Sequence, residues 1–89
     1  MVKPWHQIDG YCFRWPKLSS DVAKQRVETM VEHMIEMTPT ERVEYLDKWI
    51  PALNDTNAAA KAGIGAVDQH LVVTALMQWR EDNRERIAA

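Results

Sequence analysis

The stretch Ala58 to Trp79, AAAKAGIGAVDQHLVVTALMQW, constrains this chain more than any other, because it is the longest segment with few charges. Segments before it must pack onto it, and the segment after it reads as a solvated tail. Ile64, Val67, Leu71, Ala75, Leu76 and Trp79 recur at steps of three and four, with Val72 beside them, which is the spacing of one helical face. Val73 and Met77 lie partly off that face, so the stripe is wide enough to meet more than one neighbour. Upstream, Gly63 and Gly65 each cost roughly 1 kcal/mol in a helix interior. Two glycines so close predict a break, or a close approach of two backbones. The expected arrangement is a short helix over 57–62 and a long one over 66–86, with one helix kinked near Gly63 as the alternative.

Eighty-nine residues make one domain, and a chain this short has a thin stability margin. A hydrophobic share of 46% and a charged share of 27% place it among globular rather than disordered chains. Cys12 is the only cysteine, which excludes an internal disulfide and fits a reducing cytoplasm. The start, MVKPWHQIDG, lacks the apolar core of a signal peptide, and no apolar run approaches the roughly 20 residues that span a bilayer. The net charge of −2 disfavours a strongly basic nucleic-acid binder. That charge is unevenly spread. Residues 1–26 are net +3, residues 27–47 are net −5, and the remainder balances. The middle of the chain therefore carries an acidic surface.

Taken in order, residues 1–18 crowd Trp5, Tyr11, Phe13 and Trp15 beside Pro4 and Pro16. Asp9-Gly10 is a hairpin dipeptide, and Tyr11, Phe13 and Trp15 alternate as in a strand. A hairpin of His6–Ile8 against Tyr11–Phe13 would need support from the helices, since an isolated one is marginal. The segment reads either as an aromatic strap that completes the core or as a partner-binding arm anchored by Trp5, Arg14 and Trp15. Ser19, Ser20 or Asp21 then caps a helix whose buried face is Val27, Met30, Val31, Met34 and Ile35. Glu28, Glu32 and Glu36 fall four apart on another face, where like charges repel mildly. That face is either a solvated surface or a site for a basic partner. Met30, Met34 and Met37 read as core.

Thr38-Pro39-Thr40-Glu41 is a capping box with proline at the first helical position. The first helix must end near Met37, and a second starts at once. Val43, Leu46, Trp49 and Ile50 are its buried stripe, and Pro51 is expected to stop it near Ile50. Asn54-Asp55-Thr56-Asn57 forms a polar turn that caps the next helix. The tail from Arg80 to Arg86 alternates in charge, with pairs such as Asp82 and Arg86.

The chemistry-bearing residues form no recognisable constellation. His6, Cys12, His33 and His70 match no common zinc spacing. His33 and Glu36 are helix neighbours without a partner, and His70 reads as a helix-packing histidine. Gly63-Ile64-Gly65 lacks the third glycine and the preceding strand of a dinucleotide loop. No enzyme, metal or cofactor is expected. Asn54 to Ile64, NDTNAAAKAGI, resembles the first helix and turn of a helix-turn-helix, as in phage small terminase subunits and Fis-type regulators. The resemblance covers eleven residues and implies DNA binding, with backbone contacts from Lys61, Arg80, Arg84 and Arg86. The following helix would present Asp68 and Gln69, with no arginine or lysine before Arg80, where phosphate contacts need such residues.

These features predict a small all-α bundle of three or four helices, divided into an aromatic segment (1–18), a helical domain (19–86) and a C-terminal end (87–89). Short connections favour antiparallel neighbours. The wide stripe and four tryptophans predict a homodimer through the 66–86 helix. The leading functional expectation is a non-enzymatic protein-binding module (a regulator, adaptor or inhibitor), working through Glu28, Glu32 and Glu36 or through Trp5, Arg14 and Trp15. In style it resembles small proteins of phages and mobile elements. DNA binding is the alternative.

Overall fold

The computed structural model describes the backbone of residues 5–8 and 11–88 and the side chains of residues 15–88. Four helices follow two short strands among the described residues: β1 (Trp5–Ile8), β2 (Tyr11–Arg14), α1 (Asp21–Ile35), α2 (Pro39–Asn54), α3 (Thr56–Lys61) and α4 (Ala66–Ala88). The helical part is the small all-α bundle that the periodicity predicts. The backbones of β1 and β2 pair antiparallel, with Ile8 opposite Tyr11 and Trp5 opposite Arg14. Residues 9–10 and every side chain before Trp15 lie outside the described residues. So do the expectations of an aromatic strap on the core or of an arm built on Trp5 and Arg14.

Each helix end has a local cause. Ser20 caps α1, its side chain accepting from the Ala23 amide at 3.4 Å. Thr38 and Glu41 close the expected capping box on α2, through Glu41 N–H to Thr38 Oγ1 (3.2 Å) and Thr38 N–H to Glu41 Oε1 (2.9 Å). Asp55 ends α2 and starts α3, its carboxylate accepting from the amides of Asn57 and Ala58. The break at the glycines is real. Gly63 has φ +88°, and the Gly63 and Ile64 amides donate back to the carbonyls of Ala60 and Ala59 at 3.0 and 2.9 Å. That paired back-bonding around a left-handed residue is a Schellman stop. Ile64 and Ala59, both buried, supply its apolar contact.

α2 departs from expectation by continuing through Pro51 to Asn54. Proline there removes one amide donor from an exposed last turn. In return Leu53 becomes fully buried, worth about 2 kcal/mol, and Gln69 Nε2 donates to the Leu53 carbonyl at 3.0 Å. α1 stops at Ile35, two residues short of Met37, and Ile35 and Met37 pack at the edge of the core.

The broadest helix contact is α2 on α4; α3 joins both, and α1 lies on α2. The core is Ala23, Val27, Met30, Val31 and Met34 of α1, Leu46, Ile50 and Leu53 of α2, Ala59 of α3, and Val72, Leu76 and Trp79 of α4, with Leu18 and Ile64 from the connections. Val43 and Trp49 of the expected α2 stripe are only half-buried. The α4 stripe is rotated from its expected position: Val67 is 78% exposed and Leu71 40%, whereas Asp68 and Asn83 are buried. The apolar spacing of α4 is nearly continuous around the helix, so sequence alone could not choose which arc faces inward. The tail is also not wholly solvated, because α4 runs to Ala88 and buries Asn83 completely.

Candidate functional site

Three buried polar side chains organise the bundle, and sequence reasoning gave none of them that role. Asp68 is 2% exposed and faces the start of α1. Its carboxylate accepts from Ser19 N–H (2.8 Å), Ser19 Oγ–H (2.9 Å) and Ser20 N–H (3.1 Å). The Ser19 amide, opposed by burial and aided by the Ser19 hydroxyl, the Ser20 amide and nearby Lys24, holds its pKa below the usual 3.8. Arg42 is fully buried at the other end of α1. Its Nε donates to the Met34 carbonyl at 2.8 Å, its Nη2 to the Ile35 carbonyl at 3.5 Å, and its Nη1 to Asn83 Oδ1 at 3.4 Å. Asn83 in turn donates Nδ2–H to the Trp79 carbonyl at 2.8 Å. A signal for these residues existed: Asp68 is in step with Ile64 and Val72, Arg42 with Leu46, and Asn83 with Trp79. A polar residue in phase with a buried stripe must find a polar partner.

These groups are consumed by structure, so candidate binding surfaces lie outside them. On α1, the wheel opposite the core carries Glu28, Glu32 and Glu36, with Glu32 and Glu36 exposed and Glu28 half-buried. The side chains of the three make no hydrogen bond or ion pair among the described residues. The other acids are mostly engaged. Asp21 meets Lys24, Asp47 meets Arg80 and Arg84, and Glu81 meets Arg84. Glu41 and Asp55 serve as caps. α1 thus presents three glutamates whose side chains have no ion pair among the described residues, with Lys24 one turn before Glu28.

The outward face of α4 is different. Residues 69–79 contain no Asp, Glu, Lys or Arg. Leu71 and Met77 are exposed there, just beyond Val67. Beside them lies an open cleft of about 310 Å³ between Pro16 and Lys17 on one wall and Leu71, Thr74, Ala75 and Gln78 on the other. His70 is exposed at this cleft rather than packed between helices. Trp15 is half-buried and packs against the core cluster, so much of its ring serves its own domain.

Of the cations of the DNA-binding expectation, Arg80 and Arg84 meet on Asp47 and are engaged there. Lys61 is exposed at the end of α3. Arg80 is about 21 Å along α4 from its start, at 1.5 Å per residue, and pairs with Asp47 at 3.2 Å. Arg84 is shared between Asp47 (3.7 Å) and Glu81 (3.6 Å), and Arg86 is half-buried one turn beyond Asp82. Asp68 and Gln69, which a reading helix would present outward, instead bind Ser19 and the Leu53 carbonyl. Arg26 stacks over Trp49 at 5.3 Å. Tyr45, tilted against Trp49, has its pKa raised by burial despite the opposing Arg26 charge.

Among the described residues no cluster of three His, Cys, Asp or Glu could hold a metal ion, and no helix is long and apolar enough to cross a membrane. No family model, curated protein or solved structure matches this chain.

Proposed function

We propose that this chain is a non-enzymatic protein-binding module, a small regulator, adaptor or inhibitor, that receives a basic partner on the outer face of α1. The observation that carries the reading is the contrast among its acids. Glu28, Glu32 and Glu36 share one helix face without a side-chain partner among the described residues, as Glu44 and Glu85 stand singly elsewhere, while Asp21, Asp47 and Glu81 have cations and Glu41, Asp55 and Asp68 have amides. Like charges four apart cost a few tenths of a kcal/mol per pair, a cost that a basic partner would reverse on docking. Complementary charge of this kind chiefly accelerates association and selects partners.

The test is affinity capture from lysate of the source cells with wild type and with the triple variant Glu28→Lys, Glu32→Lys, Glu36→Lys. The expected result is a protein held by wild type, released as salt rises, and lost from the variant at unchanged helical circular dichroism. Equal capture by both proteins would exclude this face.

A second reading, DNA binding, draws support from the α3–turn–α4 unit, in which Gly63 takes the left-handed turn and Ala59, Ile64 and Val72 are buried at the junction. Its phosphate contacts would come from Lys61, Arg80, Arg84 and Arg86. Fluorescence anisotropy with mixed-sequence duplex at two salt concentrations tests it. Binding that weakens steeply with salt would signal counterion release and would favour this reading over the acidic face.

A further inference from the structure

We propose that the outward face of α4 is the interface between two copies of this chain, paired antiparallel about a two-fold axis. Of the five large apolar side chains exposed among the described residues, Val67, Leu71 and Met77 lie on this one face. A fourth, Val22, lines a cleft with Val67. Single exposed apolar residues are ordinary, but several on one helix face mark a contact surface. Their spacing is that of a helix–helix seam. Val67, His70, Thr74, Met77 and Glu81 recur at steps of three and four and are all exposed, with Leu71 and Gln78 alongside. The seam lies opposite the buried stripe of Val72, Leu76 and Trp79, so α4 can present it with its own bundle intact.

A second copy is the occupant because the face complements itself in one direction. Its amino-terminal half carries His70, which shares a cleft with Lys17. Its carboxy-terminal end carries Glu81 and Glu85, both exposed. Between these ends, residues 71–79 hold no Asp, Glu, Lys or Arg. A parallel copy would set like charge against like. An antiparallel copy sets His70 and Lys17 against the partner's Glu81 and Glu85. With the axis crossing α4 between Ala75 and Leu76, Thr74 meets the partner's Met77 and His70 meets the partner's Glu81. Val67 then meets the aliphatic stem of the partner's Arg84. The two-fold makes each contact occur twice, as in any isologous interface. The cations at the charged end are engaged, since Asp47 holds Arg80 at 3.2 Å and Arg84 at 3.7 Å. Arg84 also reaches Glu81 at 3.6 Å, an exposed pair that solvent weakens. Glu85 has no ion pair among the described residues. So short an apolar centre predicts a weak dimer that forms with concentration.

Sedimentation equilibrium of the 89-residue chain tests this, with reductant present to keep Cys12 from linking copies. The mass should climb from the 10.3 kDa of one chain toward twice that value as concentration rises to about 500 µM. Leu71→Asp, at a position already 40% exposed, should keep the single-chain mass with unchanged helical circular dichroism. Charge exchange reads the direction of pairing. His70→Glu should raise the Kd about tenfold by setting glutamate against glutamate. Adding Glu81→Lys to the same chain should recover most of that loss, because each new glutamate then faces a lysine. A single-chain mass at every concentration would overturn the proposal. Dimerisation of Leu71→Asp equal to wild type would overturn it by moving the contact off this face. Failure of Glu81→Lys to restore His70→Glu would overturn the antiparallel pairing.

Discussion

The two ends of α1 are held by opposite charges, and the contrast between them shows how this small bundle fixes a helix with modest side contacts. At the N-terminus, Asp68 from α4 accepts three hydrogen bonds of 2.8 to 3.1 Å from Ser19 and Ser20. At the C-terminus, Arg42 from α2 donates one bond of 2.8 Å and two of 3.4 and 3.5 Å to Met34, Asn83 and Ile35. Each charge has the sign that the helix dipole favours at that end. The anchors differ in kind. The carboxylate concentrates short bonds on two residues outside the helix and can be neutralised by a proton. The guanidinium spreads longer bonds over two carbonyls and a side chain, and it stays charged at any accessible pH.

The largest effect should come from the C-terminal anchor. Arg42→Met keeps most of the aliphatic volume but removes one donor each from the Ile35 carbonyl, from Asn83 and from the Met34 carbonyl, which keeps the Met37 amide at 3.1 Å. A loss of about 3 kcal/mol is expected, read as a lower midpoint in urea at unchanged slope. Stability equal to wild type would mean that packing, not hydrogen bonding, holds this end.

Asp68→Asn should cost less, about 1.5 kcal/mol, because an amide oxygen still accepts from Ser19. Its signature is in the pH profile. The folded-state pKa of Asp68 lies below the usual 3.8, so the unfolded chain binds the proton more readily. The stabilisation from this group is complete above about pH 4 and is lost as pH falls through the folded-state value. Urea midpoints from about pH 5 to about pH 2 should therefore fall less steeply in Asp68→Asn than in wild type. Parallel profiles would place the acid sensitivity elsewhere.

Ser20→Ala should have the smallest effect, about 0.5 kcal/mol, the low end for a lost cap. The Ser20 hydroxyl sits 3.4 Å from the Ala23 amide, and Asp68 remains to hold the segment. A loss larger than that of Asp68→Asn would reverse the ranking and make the local cap the principal anchor.

Local features were legible in the chain because they depend on a few adjacent residues. The Thr38–Glu41 capping box, the Asp55 turn and the break at Gly63 all stand where residue chemistry places them. The substitution-sensitive point at Gly63 was visible only in part. A Cβ there would sit 2.5 Å from Val22 Cγ1, a clash between residues forty-one positions apart, in addition to the strain of φ +88°. The candidate sites were legible unevenly. The spacing of Glu28, Glu32 and Glu36 already placed them on one face, but that Asp47 captures two arginines depends on how α2 lies on α4.

The sequence by itself determined the helical class, the helix starts and the acidic character of α1, since each follows from hydrogen-bonding and periodicity over a turn or two. Only the tertiary structure decided which arc of α4 is inward, because Val67 and Leu71 compete with Val72 and Leu76 on nearly equal apolar terms. The choice falls to the polar residues. With Asp68 and Asn83 facing inward, each finds partners at the ends of α1 and α2. With Val67 and Leu71 inward, both would lose those partners, and one valine and one leucine are buried either way. The rotation of α4 is therefore set by the satisfaction of buried polar groups, a property of the assembled bundle that no single segment carries.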